Sequence, residues 1–439
     1  MQVTYHQSLL PRSWPHGRLG QIAGATFVVA ALCISAKVFY YIFTEQIAGA
    51  GTGPERQAST QTASGNIFYL MLWASLYGWA MLQLGLQYLR HGLHPVLLRA
   101  VPLSALALAS VFWSVSPQRT MLHATMFTLN ILIGYVISQS MSPRMFLLVV
   151  RRTIIVLMLV SLVLMALIPE VAATIRHDGA WLSDREMRGV FPFKTDAGWL
   201  FGLLFLLIFW MRDWKGGLAS KLIMGAVTVF AVLLSNSATG IACGITVMIV
   251  LFMIELVPDR VGTLLRVVFA ALVAFSLLLP FIDIGWIAGL LGRDPDLTGR
   301  VPIWNGAIRF IVQRPLLGYG FGGFFDPIPN SPVWEFWAMS RDSQAAHFHS
   351  SAVDLMIALG VIGLAAYVHT LWSSMTLVYN RSIGRTERIV LAGSLIFFLI
   401  GASVDTTFMT YNSYATMFLF YCVFAAGTQY PTEPETSAR

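Results

Sequence analysis

Residues 340–364 read SRDSQAAHFHSSAVDLMIALGVIGL. A polar segment with two histidines one residue apart gives way, within a few positions, to an apolar run that continues to residue 379. A run of that length and polarity is a membrane helix, so the imidazoles sit at the lip of a bilayer. One carboxylate, Asp354, lies a turn further in, where it is costly unless paired.

The rest of the chain repeats the pattern. Of 439 residues, 56% are hydrophobic and only 11% charged, too few solvated side chains to cover a soluble globule of this size. Apolar runs long enough to span hydrocarbon as helices fall at 20–43, 66–89, 95–115, 118–139, 147–168, 197–211, 219–235, 238–257, 261–282, 350–379, 389–404 and 408–428. The short alternating segments of a membrane barrel do not occur. The expected fold is all-α, a polytopic membrane protein of about twelve spans. It divides into an N-terminal tail (1–19), a bundle (20–282) with an outer loop at 169–196, a large outer loop (283–349), the C-terminal helices (350–428) and a polar tail (429–439). The first span is long and has no small-residue cleavage site after it, so it reads as a retained helix.

The formal net charge is +7, but the cations are spread over short links and helix ends, which excludes a nucleic-acid face. With the N-terminus cytoplasmic, one set of links and flanks holds Arg90, Arg99, Arg144, Arg151, Arg152, Arg212, Lys215, Lys221, Arg260, Arg266, Arg381, Arg385 and Arg388. The short links of the other set hold only Arg56 and Arg119, so the positive-inside rule puts both termini in the cytoplasm. Cys33, Cys243 and Cys422 all fall within spans and give neither a disulfide framework nor a zinc pattern.

Both long loops then face outward. The first carries DREMRGVFPFKTDAGWL, with Arg185, Arg188 and Lys194 near the next helix. Two readings stand: interfacial cations on lipid phosphates, or a pocket for a phosphorylated ligand, which arginine grips bidentately without losing its charge. The second loop contains GRDPDLTGRVPIWNGAIRFIVQRPLLGYGFGGFF. Ile303, Trp304, Ala307, Ile308, Ile311 and Val312 recur at helical spacing, predicting an interfacial helix over 302–314 that Pro315 ends. The glycines at 318, 320, 322 and 323 follow no strand and precede no Lys-Ser/Thr pair, so they read as a tightly packed turn.

Asp294 and Asp296 resemble a metal-binding pair for nucleotide sugars, but those sugars are kept inside cells; an ion pair with Arg293 or Arg300 fits an outward loop better. His347 and His349 have no third ligand at metal spacing nearby. They read either as satisfied interfacial histidines or as a general base, with Arg341 a further cation beside them. Lys37, near the outer end of the first span, is a candidate counterion for Asp354.

The ordered set RGVFPFK, DLTGRVPIW, RPLLGYGFGGFF and HSSAVDLMIALGVIGL, divided between two outer loops, resembles the O-antigen ligase and polysaccharide polymerase superfamily. The LTGR and GYGFGGF elements look most like its exopolysaccharide polymerase branch. The resemblance implies a GT-C-like membrane glycosyltransferase of the bacterial inner membrane, metal-independent and without cofactor, inverting at the anomeric carbon. It implies an undecaprenyl-diphosphate-linked glycan donor and a glycan or lipid acceptor, with membrane lipids around it and room for a chain-length regulator. The family's arginines match Arg188 and Arg300, and its histidine matches His349, which leaves His347 extra. The chain departs from the family where Phe193, Lys194 and Thr195 replace His-Lys-Asn and where Ser350 replaces Asn. A ligase with the same donor and a lipid-linked sugar transporter remain the rival readings.

Overall fold

The computed structural model describes residues 18–38, 40, 67–175, 185–282, 300–340 and 345–431. A helix forms at each of the apolar runs: α1 (Arg18–Ser35), α2 (Ile67–His91), α3 (Val101–Ala109, extended by a 3-10 turn Ser110–Trp113), α4 (Pro117–Ser140), α5 (Pro143–Leu167), α6 (Lys194–Trp210), α7 (Gly217–Ser235), α8 (Ala238–Glu255) and α9 (Val261–Leu278). The outer loop contributes α10 (Arg300–Gln313) and α11 (Pro332–Ser340), followed by α12 (Ser351–Met375), α13 (Arg385–Ala402) and α14 (Tyr414–Ala425). Six of these stretches are long and apolar enough, taken singly, to cross a membrane. One short antiparallel pair, β1 (Ala173–Ile175) with β2 (Arg185–Met187), departs from the all-helical expectation among the described residues.

Position in the bundle follows from sequence uniformity. Beyond the first turns of α6 and α13, these two helices and α14 are apolar on every side and buried almost throughout, as helices without a polar face must be. α4 packs along α14, and Gly134 permits it, since a Cβ there would lie 2.8 Å from the Met417 carbonyl oxygen. Polar clamps fix the same pair at both ends: Asn130 Nδ2 donates to the Ser413 carbonyl at 3.0 Å and Gln139 Nε2 to the Thr428 hydroxyl at 2.9 Å. The peripheral helices α5, α7 and α9 present residues such as Val156, Ile223 and Val267 outward, as lipid-facing surfaces do.

Cations gather at one end of the bundle and hold helix C-termini there. Arg99 donates to the Val423 carbonyl, Arg388 to Val378 and Lys221 to Phe209, complementing the negative end of each helix. Arg151 makes a forked ion pair with Asp213, at 2.8 and 3.2 Å.

At the opposite end α12 is broken. Gly360 has φ 63 and ψ −161, a conformation essentially reserved for glycine. The break frees carbonyls that the outer loop then satisfies: Tyr319 N–H donates to Ile357 at 2.8 Å, Gly320 N–H to Ala358 at 2.9 Å, and Val361 N–H returns to Pro315 at 2.8 Å. The glycine-rich segment is thus a chain-packing device that lays irregular backbone against an opened helix, where protein buries it. A Cβ at Gly318 would lie 2.4 Å from the Ile357 oxygen, which is why no larger residue fits.

α10 forms where its spacing predicts, with a corrected face. Ile303, Trp304, Ala307, Phe310 and Ile311 are buried, whereas Val312 is 71% exposed and Ile308 only partly covered. Phe310 carries the stripe because Phe324, Phe336 and Phe348 assemble around it into a separate outer core. Two further sequence boundaries shift: α1 stops at Ser35, with Lys37 left-handed at φ 51, and the last helix begins at Tyr414, so 405–413 is a connection.

Candidate active site

The segment His347–Phe348–His349 precedes α12 and its side chains alternate. Phe348 is fully buried in the outer aromatic core, 5.4 Å from Phe324 and 4.9 Å from Phe336 between ring centres. Its carbonyl accepts from Trp304 Nε1 at 2.8 Å. With the middle residue so anchored, both histidines turn to the other side, and their rings lie 4.1 Å apart. His349 has φ 51, unusual for a residue with a Cβ, and its N–H donates to His347 Nδ1 at 3.2 Å.

Asp354, one turn into α12, accepts from the Phe348 N–H at 2.9 Å and from the Thr406 hydroxyl. Thr406 also lies 3.2 Å from His347 Nδ1. Asp354 is therefore satisfied by neighbours of the histidines. The expectation that Lys37 is its counterion is corrected: the Lys37 ammonium interacts with Asp196, at the start of α6.

The connection from α13 to α14 supplies the group that completes the cluster. Asp405 Oδ1 lies 3.6 Å from His349 Nδ1, and its carboxylate also accepts from the Thr406 N–H at 2.8 Å. Ser351 Oγ holds the connection by accepting from the Thr407 and Phe408 N–H groups, each at 3.2 Å. Burial acts to raise the Asp405 carboxyl, but the His349 contact and the two imidazoles outweigh it and hold it down at about 2. Burial, with His349, Arg300 and Lys37 adding to it against Asp405, lowers His347 to about 4. The His349 and Asp405 side chains keep about a third and a quarter of their surface open, so the cluster is accessible to a ligand.

Arg300 opens α10 one helical turn before Trp304, on the same face. Trp304 is fastened to Phe348, and the Arg300 guanidinium interacts electrostatically with Asp405 and His347. Of the residues singled out in the sequence, His347, His349, Asp354 and Arg300 come together. Asp405 and Thr406, which sequence reasoning missed, join them; the available signal was an acid isolated between two apolar runs at the same end as the histidines.

The first outer loop forms a neighbouring network. Arg188 is buried and donates from Nε to the Val171 carbonyl at 3.1 Å, while its N–H and that of Gly189 donate to Ala172. Lys194 pairs with Glu186 at 2.6 Å, Glu186 accepts from Asn236, and Arg185 makes an exposed contact with Glu170 at 3.7 Å. These contacts join the three cations to the hairpin. Asp196, two residues beyond Lys194, interacts with Lys37 and Asp405 and sets the end of this loop beside the histidine cluster. Arg341, Arg293, Asp294 and Asp296 lie outside the described residues.

Chemically, the cluster offers an imidazole backed by a carboxylate, with a guanidinium close by. Ligand atoms of His347, His349 and Asp405 all lie within 4.8 Å of one another, so the three could share a metal ion, a grouping that sequence spacing did not reveal.

Residues 223–368 match the O-Antigen ligase family model, Wzy_C, a stretch that includes Arg300, both histidines and Asp354. The match falls on the same stretch whose motifs resemble the O-antigen ligase and polysaccharide polymerase superfamily. The chain is also 26% identical, over 141 residues, to the "Exopolysaccharide production protein ExoQ" of Rhizobium meliloti (strain 1021), covering 31% of this chain. The matched region spans about a third of that relative's length, 32%. Arg188 and Asp405 stand outside the family match.

Proposed function

We propose that the protein is a membrane glycosyltransferase that polymerises undecaprenyl-diphosphate-linked repeat units at the periplasmic face of the inner membrane. The observation that carries the reading is the contact of Asp405 with His349 beside Arg300, at the end of the bundle opposite the cation-rich one. An acceptor sugar hydroxyl attacks the anomeric carbon of the donor, and the bond from that carbon to the diphosphate oxygen breaks with its electrons leaving on the phosphate. His349 takes the hydroxyl proton, and Asp405 orients the ring and faces the imidazolium that forms. Arg300, with Arg188 from the first outer loop, stabilises the charge growing on the diphosphate, more in the transition state than in the ground state. Attack from the face opposite the leaving group inverts the anomeric centre.

Transfer of a finished glycan to a lipid acceptor is the second reading, favoured by the ligase description of the matching family. Both use one donor and differ in acceptor. Lipid-linked products in a deletion strain separate them. Single repeat units accumulate if the protein is a polymerase, and long unattached chains accumulate if it is a ligase. Unchanged lipid-linked pools would contradict both.

A further inference from the structure

A second polar cluster lies across the 405–413 connection from the histidines, and the proposed reaction uses none of it. Arg119, in the first turn of α4, reaches Asp326 at 3.5 Å, and the Ser116 hydroxyl donates to the same carboxylate. Tyr411 lies flat on the His123 ring, with centroids 4.1 Å apart and planes 28° from parallel. Asn412 is held through its side-chain oxygen by the Tyr77 hydroxyl.

The cluster is only half enclosed. Tyr411 keeps 37% of its surface open, and the Arg119 and Asp326 side chains keep 32% and 22%. His123, beneath Tyr411, is buried and fixes the ring's orientation. Tyr411 interacts electrostatically with Arg119, and His123 beneath it with Arg119 and Asp326, so a partly open aromatic ring stands near a carboxylate and a guanidinium, the donor and acceptor set that receives a pyranose. The ring covers the sugar's C–H face, and the charged groups take its hydroxyls. Asp405 and Tyr411 share one connection six residues apart, so the two clusters lie within about 20 Å even if that chain were fully extended.

We infer that Arg119, Asp326 and Tyr411 form a carbohydrate subsite that holds a sugar of the glycan chain a few units from the reacting one. The inference rests on the reading that this protein handles a glycan, and it adds where the chain is gripped. The subsite gives the growing polymer a hold that does not involve the diphosphate.

The test uses the full chain in lipid nanodiscs. The probe is the oligosaccharide released by mild acid from lipid-linked units of cells lacking the protein, with binding followed by saturation-transfer NMR. The oligosaccharide binds wild type and His349→Ala alike, binds Tyr411→Leu at least tenfold more weakly, and binds Tyr411→Phe normally because the ring is kept. Asp326→Asn, which retains an acceptor for Ser116 and leaves Tyr411 on His123, gives a parallel loss. No binding to wild type, or unaltered binding to Tyr411→Leu and Asp326→Asn, overturns the subsite. Formation of glycosidic bonds from lipid-linked units is measured alongside. Binding without transfer contradicts the reaction but keeps the subsite, whereas transfer with unaltered binding by both variants removes the subsite alone.

Discussion

Nδ1 of His349 lies 3.6 Å from a carboxylate oxygen of Asp405, although 56 positions separate the two residues. One precedes α12 and the other follows α13, so the contact exists only when both helices are seated. In the proposed reaction this pairing gives Asp405 a positioning role. Asp405→Asn keeps the shape and removes the charge, and should lower transfer by roughly 10²-fold. The loss should fall on kcat with KM little changed, because donor and acceptor still bind, and Asp405→Glu should recover part of the rate. A loss carried by KM, or no recovery by Asp405→Glu, would make Asp405 merely structural.

Acid should destabilise the site in a defined window. A free histidine titrates near 6.5 and His347 near 4, so between these values the unfolded chain binds the extra proton. Stability is therefore lost as pH falls from 6.5 to 4. Asp405 adds the same sign lower down, its contribution being present above 3.8 and lost as pH falls towards 2. Melting temperatures in detergent from pH 7.5 to 4.5 should fall less steeply for His347→Gln than for wild type. Parallel curves would remove His347 as the group responsible.

His347, His349 and Asp405 are close enough to share a divalent ion, so chelation discriminates between two uses of one cluster. Dialysis against EDTA should leave transfer by the purified protein unchanged. Loss of activity that zinc or another divalent ion restores would reassign the histidines as ligands.

Much of this was legible in the chain. Apolar run length gave the helices, because a bilayer demands that length, and the apolar recurrence from Ile303 to Val312 gave α10. Asp405 was hidden for the same reason: a single acid at a helix boundary carries no periodic signal, and its partner is remote in sequence. Lys37 reads as a candidate counterion for Asp354 because it lies near the outer end of the first span, yet the backbone N–H of Phe348 and the Thr406 hydroxyl already satisfy that carboxylate. The break at Gly360 was equally silent. A glycine inside an apolar run looks like any other until another backbone lies against it.

That break gives a stability prediction. A Cβ at Gly360 would meet the Leu316 carbonyl carbon at 2.3 Å in a conformation that L side chains rarely adopt. Gly360→Ala should cost about 1–3 kcal/mol or more and lower the melting temperature of the purified protein. Gly85→Ala, on α2 with open space around it, is the control and should melt like wild type. Equal melting of the two variants would mean that the loop and α12 are not locked as described.

The most direct test of the account is polymer formation by reconstituted protein supplied with lipid-linked repeat units, comparing wild type with His349→Ala at matched folding and insertion. Wild type should make new glycosidic bonds and release the lipid diphosphate, and His349→Ala should make none above background. Near-normal chain length from His349→Ala would contradict the assignment of that imidazole as the base.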